Sequence, residues 1–152
     1  MKPRKKFTVS ALLLSLLASL PFNSANANFE SKLTVEVAGF RNNKGQICAS
    51  LFNTGQGFPN NRNAISKRQC QPITDKSLQI TFDQVTNGSY AVGVIHDQNQ
   101  DQILNRNQLS MPTEGFGFSR NPQVRSRPPK FSDVVFLVVG QNTVIQIQLK
   151  YL

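Results

Sequence analysis

The chain has 152 residues and a formal charge of +9, from 17 Lys and Arg against 8 Asp and Glu. Four of those basic residues, Lys2, Arg4, Lys5 and Lys6, lie in an N-terminal leader without a single acid, so the remainder carries only +5. The high isoelectric point therefore gives no argument for nucleic-acid binding, and one His with two Cys is too few for a transition-metal module.

The leader has the three parts of a secretory signal peptide over residues 1–27: a cationic start, an apolar run from Phe7 to Leu20, and Ala25-Asn26-Ala27 before the cleavage point. The apolar run falls short of the ~20 residues that span a bilayer, and no second one follows. An uncleaved anchor is the alternative. No Cys stands near the cleavage point to take a lipid. The expected mature protein is a soluble, exported single domain over residues 28–152, periplasmic or extracellular, of undetermined oligomeric state. In an oxidising compartment Cys48 and Cys70 are expected to pair. Closing a loop of that length contributes roughly 3 kcal/mol. Two buried free thiols are the alternative.

Leu33, Val35 and Val37 alternate with polar residues, the period of a half-buried strand. After the turn from Gly39 to Gly45, Gln46 to Asn53 forms a second strand, and the two are expected to make a hairpin. Thr54 to Asn63 is loop by composition. Ala64 to Gln69 suits a short helical turn that delivers Cys70. Ser77 to Phe82 alternates again. A tight turn from Val85 to Gly88 leads into a strand from Ser89 to Ile95. A polar segment and a Pro-, Gly- and Phe-containing loop follow, then a Pro-rich basic stretch from Arg120 to Lys130. Val134 to Val139 is continuously apolar, as for a strand buried on both faces. Thr143 to Leu152 alternates and ends the domain. Six or seven strands without a long helix predict an all-β fold, an antiparallel β-sandwich of about seven strands, prealbumin-like or immunoglobulin-like.

The pattern Phe82-x-x-Val85-x-x-Gly88-x-Tyr90-Ala91-Val92 is similar to the strand–turn–strand of prealbumin-like and carboxypeptidase-regulatory-like sandwich domains. It is followed by His96-Asp97-x-Asn99-x-Asp101, by Pro112-x-Glu114-Gly115-x-Gly117-Phe118-Ser119, and by Pro128-Pro129 before Phe131-Ser132-Asp133. Together these resemble the DUF2141 family of small exported bacterial proteins, over nearly all of the mature chain. Members often have Gly and Asp where this chain has Gln102 and Asn105, which lowers the charge of the loop here. The resemblance implies a β-sandwich and implies no activity.

Asp97, Asn99, Asp101 and Asn105 have the spacing of oxygen ligands in a calcium loop, with the Ile103 carbonyl between them and Glu114 as a further carboxylate. Against that, Gln102 stands where the sharp turn needs Gly, and Gln108 where the bidentate acid belongs. The competing reading is a network of Asx turns, in which the same side chains accept from nearby backbone N–H groups. His96 beside Asp97 has the makings of a general base for a hydrolase, but no nucleophile motif surrounds Ser110 or Ser119; a structural hydrogen bond is the simpler role. Phe116 and Phe118 are either exposed aromatics for a sugar or protein partner, or a cap on the sandwich. Arg120, Arg125, Arg127 and Lys130 form a basic loop suited to anionic glycans, envelope phosphates or acidic proteins. The expected function is that of an exported, non-enzymatic module. It would bind an envelope glycan or protein through His96, Asp97, Asn99, Asp101, Asn105, Glu114, Phe116, Phe118 and Arg120.

Overall fold

Two sheets divide the strands by where their apolar faces can meet. The computed structural model describes residues 30–125 and 127–152; the signal peptide expected over residues 1–27 lies outside them. The elements are β1 (Glu30–Ala38), β2 (Gln46–Phe52), a short 3-10 turn (Arg62–Ala64), β3 (Lys67–Pro72), β4 (Ser77–Thr86) and β5 (Gly88–Asp97). β6 (Gly115–Phe118), a single helical turn α1 (Phe131–Val134), β7 (Phe136–Val138) and β8 (Asn142–Gln148) follow. The small sheet has the order β4-β1-β8; the large one has the order β3-β2-β5-β6, with β7 pairing the start of β5.

The fold is an all-β sandwich, with several departures from the sequence expectation. β1 and β2 do not form a hairpin: β1 pairs with β4 and β8, whereas β2 pairs with β3 and β5. Both strands alternate, and both bury their apolar face against the opposite sheet, so the turn between them crosses from layer to layer. The Asn87 turn does the same between β4 and β5. The pairing is also mixed, because β8 runs parallel to β1. Finally, residues 67–69 belong to strand β3 rather than to a helical turn; the 3-10 turn precedes them.

Rows of side chains fill the space between the sheets. Ile80, Val35 and Ile145 are register partners across the small sheet, as are Leu78, Val37 and Ile147. Ile47, Ala49 and Leu51 from β2 and Tyr90, Val92 and Val94 from β5 complete this core. The outer face of the small sheet is polar: Glu36 accepts from Gln79 Nε2 at 3.1 Å and from Gln146 Nε2 at 3.0 Å. β7 is not buried on both faces, since Leu137 and Val139 are exposed. It is three residues long at the sheet end, so only Val138 turns fully inward.

The outer face of the large sheet is not left to solvent. A second apolar cluster of Ala91, Phe116, Phe118 and Val134 forms there, joined by Phe58, Leu104, Val124 and Phe131 from the covering loops. Cys48 and Cys70, register partners on β2 and β3, form the disulfide. The chain end after β8 ties the two layers together: Lys150 and Phe116 exchange backbone hydrogen bonds of 2.8 and 2.9 Å, and Leu149 N donates to Ala38 O.

Candidate binding site

The candidate residues of the central loop are brought together, but mostly to hold the loop. Asp97 ends β5 with its side chain fully buried. It accepts from Gln46 Nε2 at 2.7 Å, from Asp101 N at 3.1 Å and from Gln102 N at 2.9 Å. Gly45 lets the preceding turn approach this point: with φ at +72°, an added Cβ there would lie 2.2 Å from Asp97 O. Glu114, also buried, accepts from Gln98 N at 2.9 Å and Asn105 N at 3.0 Å, and so clamps both ends of the loop from the start of β6. Two buried carboxylates thus accept from four backbone N–H groups of the turn, one of which, Asp101 N, is shared with Asn99 Oδ1 at 3.3 Å.

Asp101, at the exposed tip, accepts from Ile103 N, Asn99 Nδ2 and Asn105 Nδ2. The Asn105 bond, followed by those from Ile103 and Asn99, holds its carboxyl below the ordinary carboxylate range. This is the Asx network. The oxygens of the calcium reading point at N–H donors rather than at one another; within that set, Asn105 Oδ1 is buried without a donor among the described residues. Calcium takes six to eight oxygens. Among the described residues, no three His, Cys, Asp or Glu side chains are grouped to hold a metal ion.

His96 lies on the opposite face of β5 from Asp97 and is fully buried. Its Nε2 is 2.8 Å from Lys44 O, which can only accept, so the proton is assigned to Nε2. Nδ1 then accepts from Tyr151 Oη at 2.7 Å, and Tyr151 Oη accepts from Arg41 N at 3.0 Å. Burial, the largest influence, raises the Tyr151 phenol above its usual range. Both imidazole nitrogens are occupied by a network that joins the β1–β2 turn to the chain end. Ser119 is likewise buried and engaged: its hydroxyl donates to Val134 O at 2.6 Å and accepts from Val92 N at 3.1 Å. Ser110 is exposed at the loop tip.

The open volume lies elsewhere, between the outer face of the large sheet and its covering loops. A cavity of about 460 Å³ sits there, within the range of about 300–1,000 Å³ usual for small-ligand sites. Its floor follows from strand register. Arg68, Ser50, Gly93 and Phe118 form one row across four strands, and Ile95 with Phe116 forms the next. Gly93 keeps the floor low. A Cβ there would meet only the Phe118 ring at 3.6 Å and the Phe52 ring at 3.9 Å, ordinary contact distances. The walls are Ile103, Leu104 and Met111 from the central loop and Val124 from the basic one.

Five arginines line the same cavity: Arg62, Arg68, Arg106, Arg125 and Arg127. None of the chain's eight acidic residues does. The ion pair found among the described residues, Lys32 with Asp83, is on the other sheet. Arg68 donates Nη2 to Gln102 O at 2.8 Å, while its Nε is buried with no acceptor among the described residues. Burial, then Arg62, lowers its pKa from the usual arginine value.

Phe116 and Phe118 are buried and do not stand out from the surface; their ring faces belong to the second cluster and the cavity floor. Arg120 lies outside the cavity and donates to Val135 O at 3.3 Å. Lys130 is at the start of α1, where its N–H donates to Asp133 Oδ2. The sequence reading missed Arg62, Arg68, Arg106 and Gly93. Only Gly93 carried a signal, as a glycine inside a strand, where a ligand or another chain often comes close.

A two-layer all-β sandwich with loops folded over one outer face, enclosing a cavity, is the class that fold and site define. A family model described as an uncharacterised protein conserved in bacteria, DUF2141, matches residues 35–146, and the chain belongs to that family. No curated protein and no solved structure matches it.

Proposed function

We propose that this chain is an exported, non-enzymatic binding module of the bacterial cell envelope, and that its ligand sits beneath the central loop. The observation that carries the reading is the cavity itself: apolar below, ringed by five arginines, and free of carboxylates among its lining residues. Export rests on the leader sequence. The polar tip formed by Asn99, Asp101 and Asn105 is then the outer wall of the site, and Asp97 and Glu114 are its anchors rather than ligand contacts. His96 and Asp97 face opposite sides of β5, which supports a binding role over hydrolysis.

The test is to load the mature protein with a detergent-free envelope extract and identify what it retains by native mass spectrometry, beside the Gly93→Leu variant. The reading expects a retained component that Gly93→Leu retains at least about tenfold less, since the added side chain occupies the floor. Retention of nothing, or equal retention by both proteins, contradicts it.

A further inference from the structure

We infer that the ligand is an anionic amphiphile, with an apolar chain or ring body on the Gly93–Phe118 floor and a single carboxylate or phosphate among the arginines. This rests on the binding reading above and names its ligand class.

The chemistry of the two halves of the site carries the inference. The floor and walls offer Phe116, Phe118, Ile95, Leu104 and Val124, which have no side-chain hydrogen-bonding groups to give a sugar. On that floor a glycan would find Ser50, between Arg68 and Gly93, and few other partners for its hydroxyls, and unpaired buried polar groups are disfavoured. The charged groups of the lining are guanidinium groups alone, beside the neutral polar side chains of Ser50, Asn60, Gln102 and Ser110. Five cations beside an apolar surface repel one another, and Arg62 already disfavours the charge on Arg68. The carboxylate with the most influence on Arg68, Asp97, has both oxygens taken by N–H donors. Asp101 feels Arg62, as the last of its influences, but it lies outside the cavity lining and its oxygens accept from Asn99, Ile103 and Asn105. An incoming anion supplies countercharge within the cavity, and guanidinium matches carboxylate or phosphate oxygens in pairs.

A second observation points the same way. Ile103, Met111 and Leu152 line the cavity and are also exposed, by 50%, 37% and 54%. Leu109, two residues before Met111 on the central loop, is 82% exposed. Large apolar residues gathered at a cavity mouth are unusual in a surface that only faces water, and mark a place where an apolar body enters.

The experiment is calorimetric titration of the mature protein with decanoate, decyl phosphate and 1-decanol, and with acetate and inorganic phosphate as headgroups alone. Decanoate or decyl phosphate should bind with one-to-one stoichiometry, at least about tenfold tighter than decanol or either headgroup. The stronger of the two anions identifies the headgroup. Arg68→Gln should remove most of the preference over decanol, whereas Arg68→Lys should keep part of it. Should Arg68→Gln not fold, the double variant Arg125→Gln with Arg127→Gln, at two exposed positions, should reduce the same preference. Gly93→Leu should abolish binding of both anions.

Equal affinity for decanol and decanoate overturns the inference and leaves a purely apolar site. Inorganic phosphate binding as tightly as decyl phosphate also overturns it, as does undiminished binding to Gly93→Leu. If no probe binds but the envelope extract still loads the protein, the ligand class is wrong and the binding reading stands. If neither loads it, both fall.

Discussion

Arg68 and Gly93 stand on one row of the large sheet with Ser50 between them, so a charged edge and an open floor belong to the same surface. Strand pairing alone sets this relationship. The disulfide closes the next row, where Cys70 pairs with Cys48 and Cys48 with Ile95. The site is therefore built on rigid elements, and the loops complete it.

The glycines of the large sheet should respond in opposite ways to an added side chain. The Cβ of Gly93→Leu meets the Phe118 and Phe52 rings at ordinary contact distances and the rest of the side chain has the cavity to enter, so the melting temperature should hold or rise. Gly117→Ala places a Cβ 2.6 Å from Ile147 Cγ2 and 3.2 Å from Gln148 O. Overpacking of that kind costs roughly 1–3 kcal/mol. Thermal melts of the two variants check this; a Gly93→Leu protein that melts below Gly117→Ala contradicts the described floor.

Anchoring of the central loop depends on two carboxylates. Asp97→Ala removes the acceptor for Gln46 Nε2 and Gln102 N and leaves Asp101 N only its longer bond to Asn99 Oδ1, and Glu114→Ala strips Gln98 N and Asn105 N. Each unpaired buried group costs about 1–3 kcal/mol, so either variant should lose several-fold more stability than a surface substitution. Amide exchange at Gln102 should accelerate in the first and at Asn105 in the second. Added calcium should leave the wild-type melting temperature unchanged, because those oxygens already accept from N–H groups. A rise of several degrees at millimolar calcium, lost in the double variant Asp97→Ala with Asp101→Ala, would favour the cation reading.

Acid should loosen the tip only once Asp101 takes up a proton. The carboxyl of Asp101 is held below its ordinary value by Asn105 first, then Ile103 and Asn99. A depressed carboxylate contributes its stability fully above the unfolded value, about 3.9, and loses it as pH falls through the folded value. Carboxyl-carbon NMR should show Asp101 titrating below a reference Asp, and Asn105→Ala should move that midpoint upward. A midpoint indifferent to Asn105→Ala contradicts the network.

The link between the first turn and the chain end runs through one hydroxyl. Tyr151→Phe should deprive Arg41 N of its acceptor and His96 Nδ1 of its donor. A cost of about 1–3 kcal/mol is expected from the buried nitrogen. Nitrogen NMR of His96 should show the Nε2–H form in the wild-type protein, and the opposite tautomer there would contradict the assignment.

Much of this architecture is visible in the chain as written. Leu33-Val35-Val37 and Leu78-Ile80-Phe82 announce their strands by alternation, and Asp97-Asn99-Asp101 announces an ordered polar loop. What alternation does not carry is the partner. β1 has one apolar face and β2 is apolar at Ile47, Ala49 and Leu51 with Cys48 and Phe52 on its other side, and such patterns suit a hairpin as well as strands in facing sheets. Likewise Gly115-Phe116-Gly117-Phe118 has the composition of a loop. Its two glycines are demanded by Tyr151 and Ile147, which arrive from the far end of the chain. The basic run was legible and supplies two of the five cavity arginines, Arg125 and Arg127, although its ends, Arg120 and Lys130, lie outside the cavity. The other three, Arg62, Arg68 and Arg106, lie apart in sequence and meet only through register and loop closure.

Binding requires that a ligand enter beneath the central loop. Proton–nitrogen NMR of the mature protein, titrated with decanoate, tests this most directly. The largest shifts are predicted at the Ser50, Gly93 and Phe118 amides and at the Arg68 Nε–H, with the outer face of the small sheet around Glu36 unmoved. Shifts confined to that outer face, or no change along the Arg68–Gly93 row at saturating decanoate, would contradict it.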